Sequence, residues 1–476
     1  MFDVLVIGGG VIGASVLREL SKFNLNICLA EKESDVCMGA SRANSGVSHA
    51  GFDAPEGSLK AKFNVEGNEM MESFCKELGV KYQNNGSLVV AFSEEEMQTL
   101  SVLKKRGEAN GVKQLEIISK EELFALEPNV SKKAVGALYA KTGGIVCPYE
   151  LTIAMIGNAM DNGATLYTDF EVVSAKKEDG IFTVFSKDGR SVQAKIVVNA
   201  AGFYSGKVAE FFGDDGIKIG GRKGEYILLD HECDGFVKRT LFFTPTKLGK
   251  GVLVLPTVDG NVLLGPTAVE ITEDDTQNTT EGLTFVMEKA KKMCENIPFH
   301  ETITAFAGIR AYSDRHDFII EESKKVGGLI NVAGIESPGL TSAPAIGKYV
   351  VNGLIGGLLP LESNKNFNPI RKPDYFFKDL SVEEKNQIIK NDPSYGRIIC
   401  RCEKITEGEI IRACTENPKA TTIDGVKRRT RAGMGRCQGG FCQPYVAEII
   451  SKCTGIPLDK ITKSSDKSYI LRGIVK

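Results

Sequence analysis

The chain has 476 residues, too many for one ordinary core, so two to four domains are expected. Hydrophobic residues make up 42% and charged residues 25%, the balance of a water-soluble globular protein rather than a disordered or membrane-spanning one. A net charge of -2 argues against bulk attraction to nucleic acid. Met1-Phe2-Asp3 leads straight into an apolar run, so no export signal is expected. Residues 4–7, closed by Gly8-Gly9-Gly10, read as a buried parallel strand. Residues 11–23 carry helical periodicity and residues 26–31 form a second strand, completing a βαβ unit. Amphipathic helices are predicted over 94–110 and 280–296, strands over 182–185 and 195–199, and a hairpin from 251–256 and 261–265 around Asp259-Gly260. The longest apolar run, 350–361, is too short to span a bilayer and holds three glycines. Residues 361–395 mix Pro, Asn and Lys and read as a linker. A small unit of about 396–455 follows, then a tail over 456–476. That unit is too small to rely on apolar burial alone, so a metal would help it fold.

Gly8, Gly10 and Gly13 form G-x-G-x-x-G between the first strand and its helix. The first makes the turn, the second lets backbone approach a pyrophosphate, and the third packs helix on strand. The helix N-terminus offers partial positive charge to the phosphates. Glu31 ends the second strand, twenty-one positions after Gly10, where a carboxylate accepts ribose hydroxyls and repels a 2′-phosphate. No second such motif follows a strand, so electrons from this cofactor need another exit.

Three further segments carry a family resemblance: residues 41–51 (Ser41-Arg42-Ala43-Asn44-Ser45-Gly46-Val47-Ser48-His49-Ala50-Gly51), 197–202 (Val197-Val198-Asn199-Ala200-Ala201-Gly202) and 331–342, with Gly334, Gly339, Leu340 and Thr341. With the glycine motif, the chain resembles the D-amino-acid oxidase/glycerol-3-phosphate dehydrogenase superfamily of FAD enzymes over about residues 1–361. The resemblance implies an α/β fold, with a Rossmann-like FAD-binding domain interleaved with an α+β substrate domain. It implies an FAD part near 1–80, 142–220 and 325–360, and a substrate part near 81–141 and 221–324. It also places the three segments, including Ser41, Asn44, Ser45, Gly46, Ala201 and Gly202, against the ribityl chain, adenosine and isoalloxazine. Residues 44–62 and Arg222-Lys223-Gly224-Glu225-Tyr226 are most similar to L-2-hydroxyglutarate oxidases.

Cys400 and Cys402 form C-x-C, and after thirty-four residues Cys437 and Cys442 form C-x4-C. Four thiolates in two pairs are enough for one metal centre. Structural zinc is one reading, although C-x-C is unusual for zinc. The spacing and its surroundings resemble the ferredoxin-like domain of bacterioferritin-associated ferredoxin, which implies a small helical domain with a [2Fe-2S] cluster. That domain also ends the large subunits of anaerobic glycerol-3-phosphate dehydrogenases. Between Arg397 and Cys442 there are ten Lys/Arg against five Asp/Glu. Lys427, Arg428, Arg429, Arg431 and Arg436 are expected to offset the cluster's negative charge, and Gly433, Gly435, Gly439 and Gly440 to free N–H groups for the sulfurs. Cys414 and Cys453 read as packing residues, and the other six cysteines as scattered thiols.

Of four histidines, His49 falls in the loop that the family places beside the flavin ring, where a base takes a hydroxyl proton. His316 is the second choice, either as base or as a covalent FAD anchor. Arg310 sits where relatives place an arginine that grips a substrate carboxylate or phosphate. Arg222 and Tyr226 are expected in the same cavity. The predicted function is an FAD and [2Fe-2S] dehydrogenase of a small anionic alcohol, with sn-glycerol 3-phosphate first and L-2-hydroxyglutarate second. An amino-acid or imino-acid dehydrogenase subunit is third. Glu336-Ser337-Pro338 stands where aerobic glycerol-3-phosphate dehydrogenases carry a lysine, which counts against phosphate recognition. Other readings are an electron-transfer subunit without substrate and a direct oxidase with a structural metal. An electron-transfer partner subunit, homo- or hetero-oligomeric assembly and a cytoplasmic location are expected, with membrane contact only through a partner.

Overall fold

The apolar run after Met1 has no polar face to turn to water, so it forms a strand covered on both sides. In the computed structural model, which describes residues 1–245, 251–372, 376–465, 467–471 and 473, that strand is Phe2–Ile7. It lies parallel to Ile27–Ala30 on one side and Ser191–Asn199 on the other. Among the described residues these belong to an eight-stranded sheet. Thr165–Tyr167 edges it beyond Ile27–Ala30, and Leu329–Ala333 runs parallel to Ser191–Asn199. The helices Val11–Leu20, Pro148–Asp161 and Gly339–Tyr349 pack together in the core beside the sheet. The first helix stops at Leu20, short of the predicted 23, where the Ser21 hydroxyl donates to the Arg18 carbonyl.

A second, nine-stranded sheet lies in the part expected to hold the substrate. Its spine is the long antiparallel pair Ile219–Leu229 and Thr302–Ser313. The predicted hairpin is present as Leu253–Pro256 and Val262–Gly265, turning at Gly260 with φ +86°. The predicted helices appear as Glu94–Ala109 and Thr280–Met293. One boundary moves. Ile319–Glu322, expected in the substrate part, pairs antiparallel with Leu329–Ala333 in the first sheet, so the chain crosses between sheets at the turn after Ser313.

Residues 361–372 are a strap, not a free tether. Ser363 bridges Phe23, and the Arg371 guanidinium donates to the carbonyls of Ile153 at 3.1 Å and Asn417 at 2.7 Å. A short helix, Val382–Asn391, follows, closed at its start by a Ser381/Glu384 capping box. The C-terminal unit is a two-stranded ribbon, Ile398–Cys400 with Ile405–Thr406, and three helices, Glu407–Thr415, Ile423–Thr430 and Gln443–Thr454. Its core includes Ile410, Val426, Ile450 and Ile461. Ile461 lies beyond the expected boundary at 455, and the N–H groups of Ile423 and Asp424 donate to the carbonyls of Thr462 and Lys463. The start of the expected tail is thus part of this unit; residues 466, 472 and 474–476 lie outside the described residues. Among the described residues no helix is long and apolar enough to cross a membrane.

Candidate functional site

Close backbone approach builds the nucleotide end. Gly8 has φ +108°, and a Cβ there would lie 2.5 Å from the Ala200 carbonyl oxygen. A Cβ on Gly13 would collide with the Gly8 carbonyl, so only glycine lets helix meet strand here. The Val11 N–H donates to Ser41 Oγ at 2.8 Å. Glu31 is buried, and its carboxylate accepts from the N–H groups of Gly9 at 2.6 Å and Glu33 at 3.0 Å. Burial pushes its carboxyl above the ordinary range, against those two hydrogen bonds.

These residues open into a cavity of about 1630 Å³. Gly8, Gly10, Glu31, Ser41, Asn44 and Ser45 line it, as do Ala201, Gly202, Gly339 and Leu340. The other expected cofactor residues hold its walls from behind. The Gly46 N–H donates to Asn44 Oδ1 at 2.9 Å, and Gly334, at φ +65°, packs on Ser313. Thr341 Oγ1 accepts from the His49 N–H at 2.9 Å and donates to the Val47 carbonyl at 3.3 Å. An FAD fits this set: a glycine cradle that side chains would fill, a helix N-terminus, and a buried carboxylate among backbone donors.

The second sheet supplies the other end of the same cavity. Arg222 pairs directly with Arg310, and Tyr226 with Phe306, across Ile219–Leu229 and Thr302–Ser313. Alternation puts Arg222 and Tyr226 on one face, so the pleat brings the three expected residues together. Like charges opposite each other are unfavourable unless each finds another partner. Arg222 stacks on Tyr312 at 4.8 Å and lies 3.6 Å from both Glu336 and Glu270. Arg310 donates to the Thr267 carbonyl at 2.7 Å, while its buried Nε has no partner. An orphaned charged donor beside a cavity is costly unless a ligand meets it. Tyr226 stacks on Phe306 at 4.9 Å. Burial raises its phenol above the ordinary range, opposed by the Arg310 charge and a Ser45 hydrogen bond. His49 Nε2 is 3.2 Å from Ser337 Oγ, and its ring lies 5.8 Å from Phe242. His316 lines the rim from an exposed turn with φ +59°.

Sequence reasoning missed Lys60. Its Nζ pairs with Glu336 Oε1 at 2.8 Å, across 276 positions of chain. The odd Glu336 was visible in the sequence; the lysine it neutralises was not, because only tertiary folding joins them.

The four cysteines gather as two pairs. Cys402 Sγ and Cys437 Sγ are 3.6 Å apart, and Cys442 hydrogen-bonds to Cys400. The Cys442 thiol, opposed by burial and aided by the N–H groups of Gly433 and Glu403, holds Cys400 down to about 6. The N–H groups of Gly439 and Phe441 point at Cys437. A single tetrahedral ion would need its sulfurs about 3.8 Å from one another, from Zn–S of about 2.3 Å. Among the described residues no three of these thiols share a 4.8 Å neighbourhood. Two separated pairs with backbone donors fit a two-iron centre better than one zinc.

The basic run does not serve as expected. Arg428 and Arg429 both grip Asp35 in the FAD unit, at 2.7 Å and 2.8 Å. Burial alone would raise the Asp35 carboxyl, but the Arg429 and Arg428 charges bring it down to about 2. Arg431, also buried, donates to Glu403 at 2.8 Å, Asp259 at 2.7 Å and Asn261 at 3.0 Å. Arg436 reaches Asp230 and Glu232, both at 3.1 Å, and Glu301. These guanidinium groups clamp one unit onto the other, because acids of the FAD unit stand within reach. At the seam Tyr149 Oη meets Met434 Sδ at 3.4 Å. Beside it Cys147, Glu150 and Asp259 converge, and Glu150 Oε2 is sealed from water without a partner. Burial, then Asp259, pushes the Glu150 carboxyl up to about 8. Cys414 sits in the small core, with Cys453 packed against it, and burial pushes its thiol up to about 12.

Residues 3–352 match the FAD dependent oxidoreductase family, and residues 398–464 match the BFD-like [2Fe-2S] binding domain. A glycerol 3-phosphate dehydrogenase of Caloramator mitchellensis is 49% identical over 478 residues, covering 100% of this chain and 99% of that protein. An L-2-hydroxyglutarate dehydrogenase of Nematostella vectensis is 32% identical over 286 residues, 56% of this chain and 62% of its own length. Among solved structures, the dithionite-reduced L-alpha-glycerophosphate oxidase of Mycoplasma pneumoniae with FAD bound superposes with a TM-score of 0.74 at 32% identity, covering 78% of this chain and 98% of its own. The chain therefore belongs to the FAD-dependent oxidoreductase family and carries a BFD-like [2Fe-2S] binding domain behind its FAD unit.

Proposed function

We propose that this chain is a dehydrogenase that oxidises sn-glycerol 3-phosphate to dihydroxyacetone phosphate and delivers the electrons to a partner protein or quinone-linked acceptor. The observation that carries this reading is the full-length relationship, in which a glycerol 3-phosphate dehydrogenase spans both units of this chain at 49% identity. When bound, FAD accepts two electrons and the [2Fe-2S] centre carries them one at a time. Arg310 turns its unpartnered Nε–H edge to the substrate phosphate, a planar donor matched to an oxyanion. His49 Nε2 takes the proton of the hydroxyl group, its ring steadied by Ser337 Oγ. His316, at the rim, is the alternative base. Tyr226 and Phe242 wall the cavity with apolar surface and keep water from the reacting carbon.

The partners of Lys60, Arg222 and Arg310 favour a substrate whose anionic end meets Arg310. Lys60 and Arg222 both face the Glu336 carboxylate, whereas Arg310 faces only a backbone carbonyl. Free thiols support action in a reducing cytoplasm, with any membrane reached through the partner.

Anaerobic mixing with glycerol 3-phosphate, L-2-hydroxyglutarate and proline, read at the flavin band, tests the reading. Glycerol 3-phosphate is expected to bleach the flavin fastest. Bleaching by L-2-hydroxyglutarate, with glycerol 3-phosphate inert, would overturn it.

A further inference from the structure

Burial in the C-terminal unit has one large exception. Phe441 leaves 80% of its surface exposed, the highest value of any large apolar residue among those described. It sits between Cys437 and Cys442, in the loop that offers its thiols to the cluster. Tyr445, four positions on and in the first turn of the following helix, is 47% exposed. Ile398, two residues before Cys400, is 55% exposed. The Arg397 guanidinium lies 5.6 Å from the Tyr445 ring, so the start of the ribbon and the start of the helix meet at one surface. Cys400 and Cys442, just beneath, are hydrogen-bonded to each other. Covering a side chain of this size is favourable, and the fold forgoes that gain here. A cluster of such residues marks a contact surface.

The turn of the ribbon that begins at Ile398 is cationic. Arg401, between the two ligand cysteines of the ribbon, and Lys404 are exposed and form no ion pair with described residues. The neighbouring arginines 428, 429 and 431 are buried against the FAD unit, and Arg436, though exposed, is held by Asp230, Glu232 and Glu301. The acids at hand are Glu407, tied to Arg397, and Glu448, one turn past Tyr445. Transient redox encounters use small interfaces, below about 1,200 Å², with opposite charges steering approach. Three exposed apolar side chains with a basic turn suit such an encounter; a permanent subunit would need a broader apolar face.

We propose that Ile398, Phe441 and Tyr445, with Arg401 and Lys404 of the ribbon turn, form the docking surface for a small acidic one-electron carrier protein. The proposal rests on the reading of the C-terminal unit as the electron outlet. Each secondary alcohol oxidised to a ketone yields two electrons and two protons. Two carrier molecules in succession each gain one electron, and the protons pass to solvent.

The test uses the full-length holoprotein with rubredoxin, a small acidic iron–thiolate carrier, and basic cytochrome c as the opposite-charge control. Calorimetry with both proteins oxidised reads affinity without turnover. Rubredoxin is expected to bind, with affinity falling as salt rises. The Phe441→Ser variant and an R401E/K404E double variant should each weaken it about tenfold with iron content unchanged. Should F441S lose iron, Tyr445→Ser, outside the cysteine loop, gives the same readout. Equal rubredoxin affinity in the parent and in iron-loaded variants would overturn the proposal. So would tighter binding of cytochrome c, or self-association of the parent that F441S abolishes. Flavin bleaching by glycerol 3-phosphate is read on the same samples. Its absence in the parent refutes the substrate reading, while the affinities still decide the docking.

Discussion

The FAD unit surrounds a buried sheet, with Val4, Val6, Leu17 and Leu29 wholly out of solvent and further apolar helices layered on them. The C-terminal unit closes around far fewer side chains, among them Ile410, Val426 and Ile450, and brings four cysteines together as two pairs. The first is expected to keep its shape through apolar burial alone; the second leans on its cluster and on the arginines that fasten it to its neighbour. A change of one ligand therefore threatens one unit only, while a change at the seam threatens their cooperation.

The sharpest way to break that comparison is Cys437→Ser. Iron and acid-labile sulfide should fall to background, and limited proteolysis should open the chain near residue 396. The FAD unit should keep its flavin and its bleaching by substrate. Full protease resistance without iron would refute the dependence claimed for the smaller unit.

Asp35→Asn comes next. It leaves Arg428 and Arg429 buried with half their partner, a loss of about 3–5 kcal/mol in docking of the units. The same pair gives a pH signature. Asp35 has its folded value lowered to about 2 from 3.8. Its contribution is complete above about pH 4 and disappears as pH falls toward 2. Thermal melts of wild type and variant should converge at the acid end.

Arg310→Met should leave melting unchanged but lower kcat/KM by roughly 30- to 1,000-fold, about 2–4 kcal/mol, since a charged hydrogen bond to the substrate is lost. Equal turnover would favour a different substrate pocket or the reading of this chain as an electron-transfer subunit.

The last effect, read through pH alone, belongs to Glu150. Its carboxyl is raised to about 8 from 4.5, so the folded chain holds a proton that the unfolded chain has released across that window. Stability should decline as pH rises from about 4.5 to 8. Glu150→Gln should flatten that decline, as read by melting midpoints at pH 5 and pH 8.

Much of this was legible in the sequence, for physical reasons. The first strand, the glycine turn and Glu31 are local, and their spacing alone dictates a helix start and a carboxylate at a strand end. The cysteine pairs carry their chemistry in the residues themselves. What escaped is long-range charge matching. Nothing in the run from Lys427 to Arg436 says which acids await it; Asp35, Asp230 and Asp259 lie far away in sequence and meet it only after folding. The basic run was therefore assigned to the cluster. The pairing of Lys60 with Glu336 was hidden for the same reason. The Ile319–Glu322 strand was misplaced because a short apolar strand does not reveal which of two sheets will accept it.

The last described turns of the chain have a further bearing. Ser464 accepts a hydrogen bond from Ser34 Oγ at 3.0 Å, and Ser464 and Ser465 line the large cavity near Glu31 and Lys32. Residues of the C-terminal unit thus form part of the wall of a cavity whose floor is the glycine turn. Removal of residues 396–476 takes away that wall and should speed flavin exchange measurably, which would give the small domain a part in holding the nucleotide.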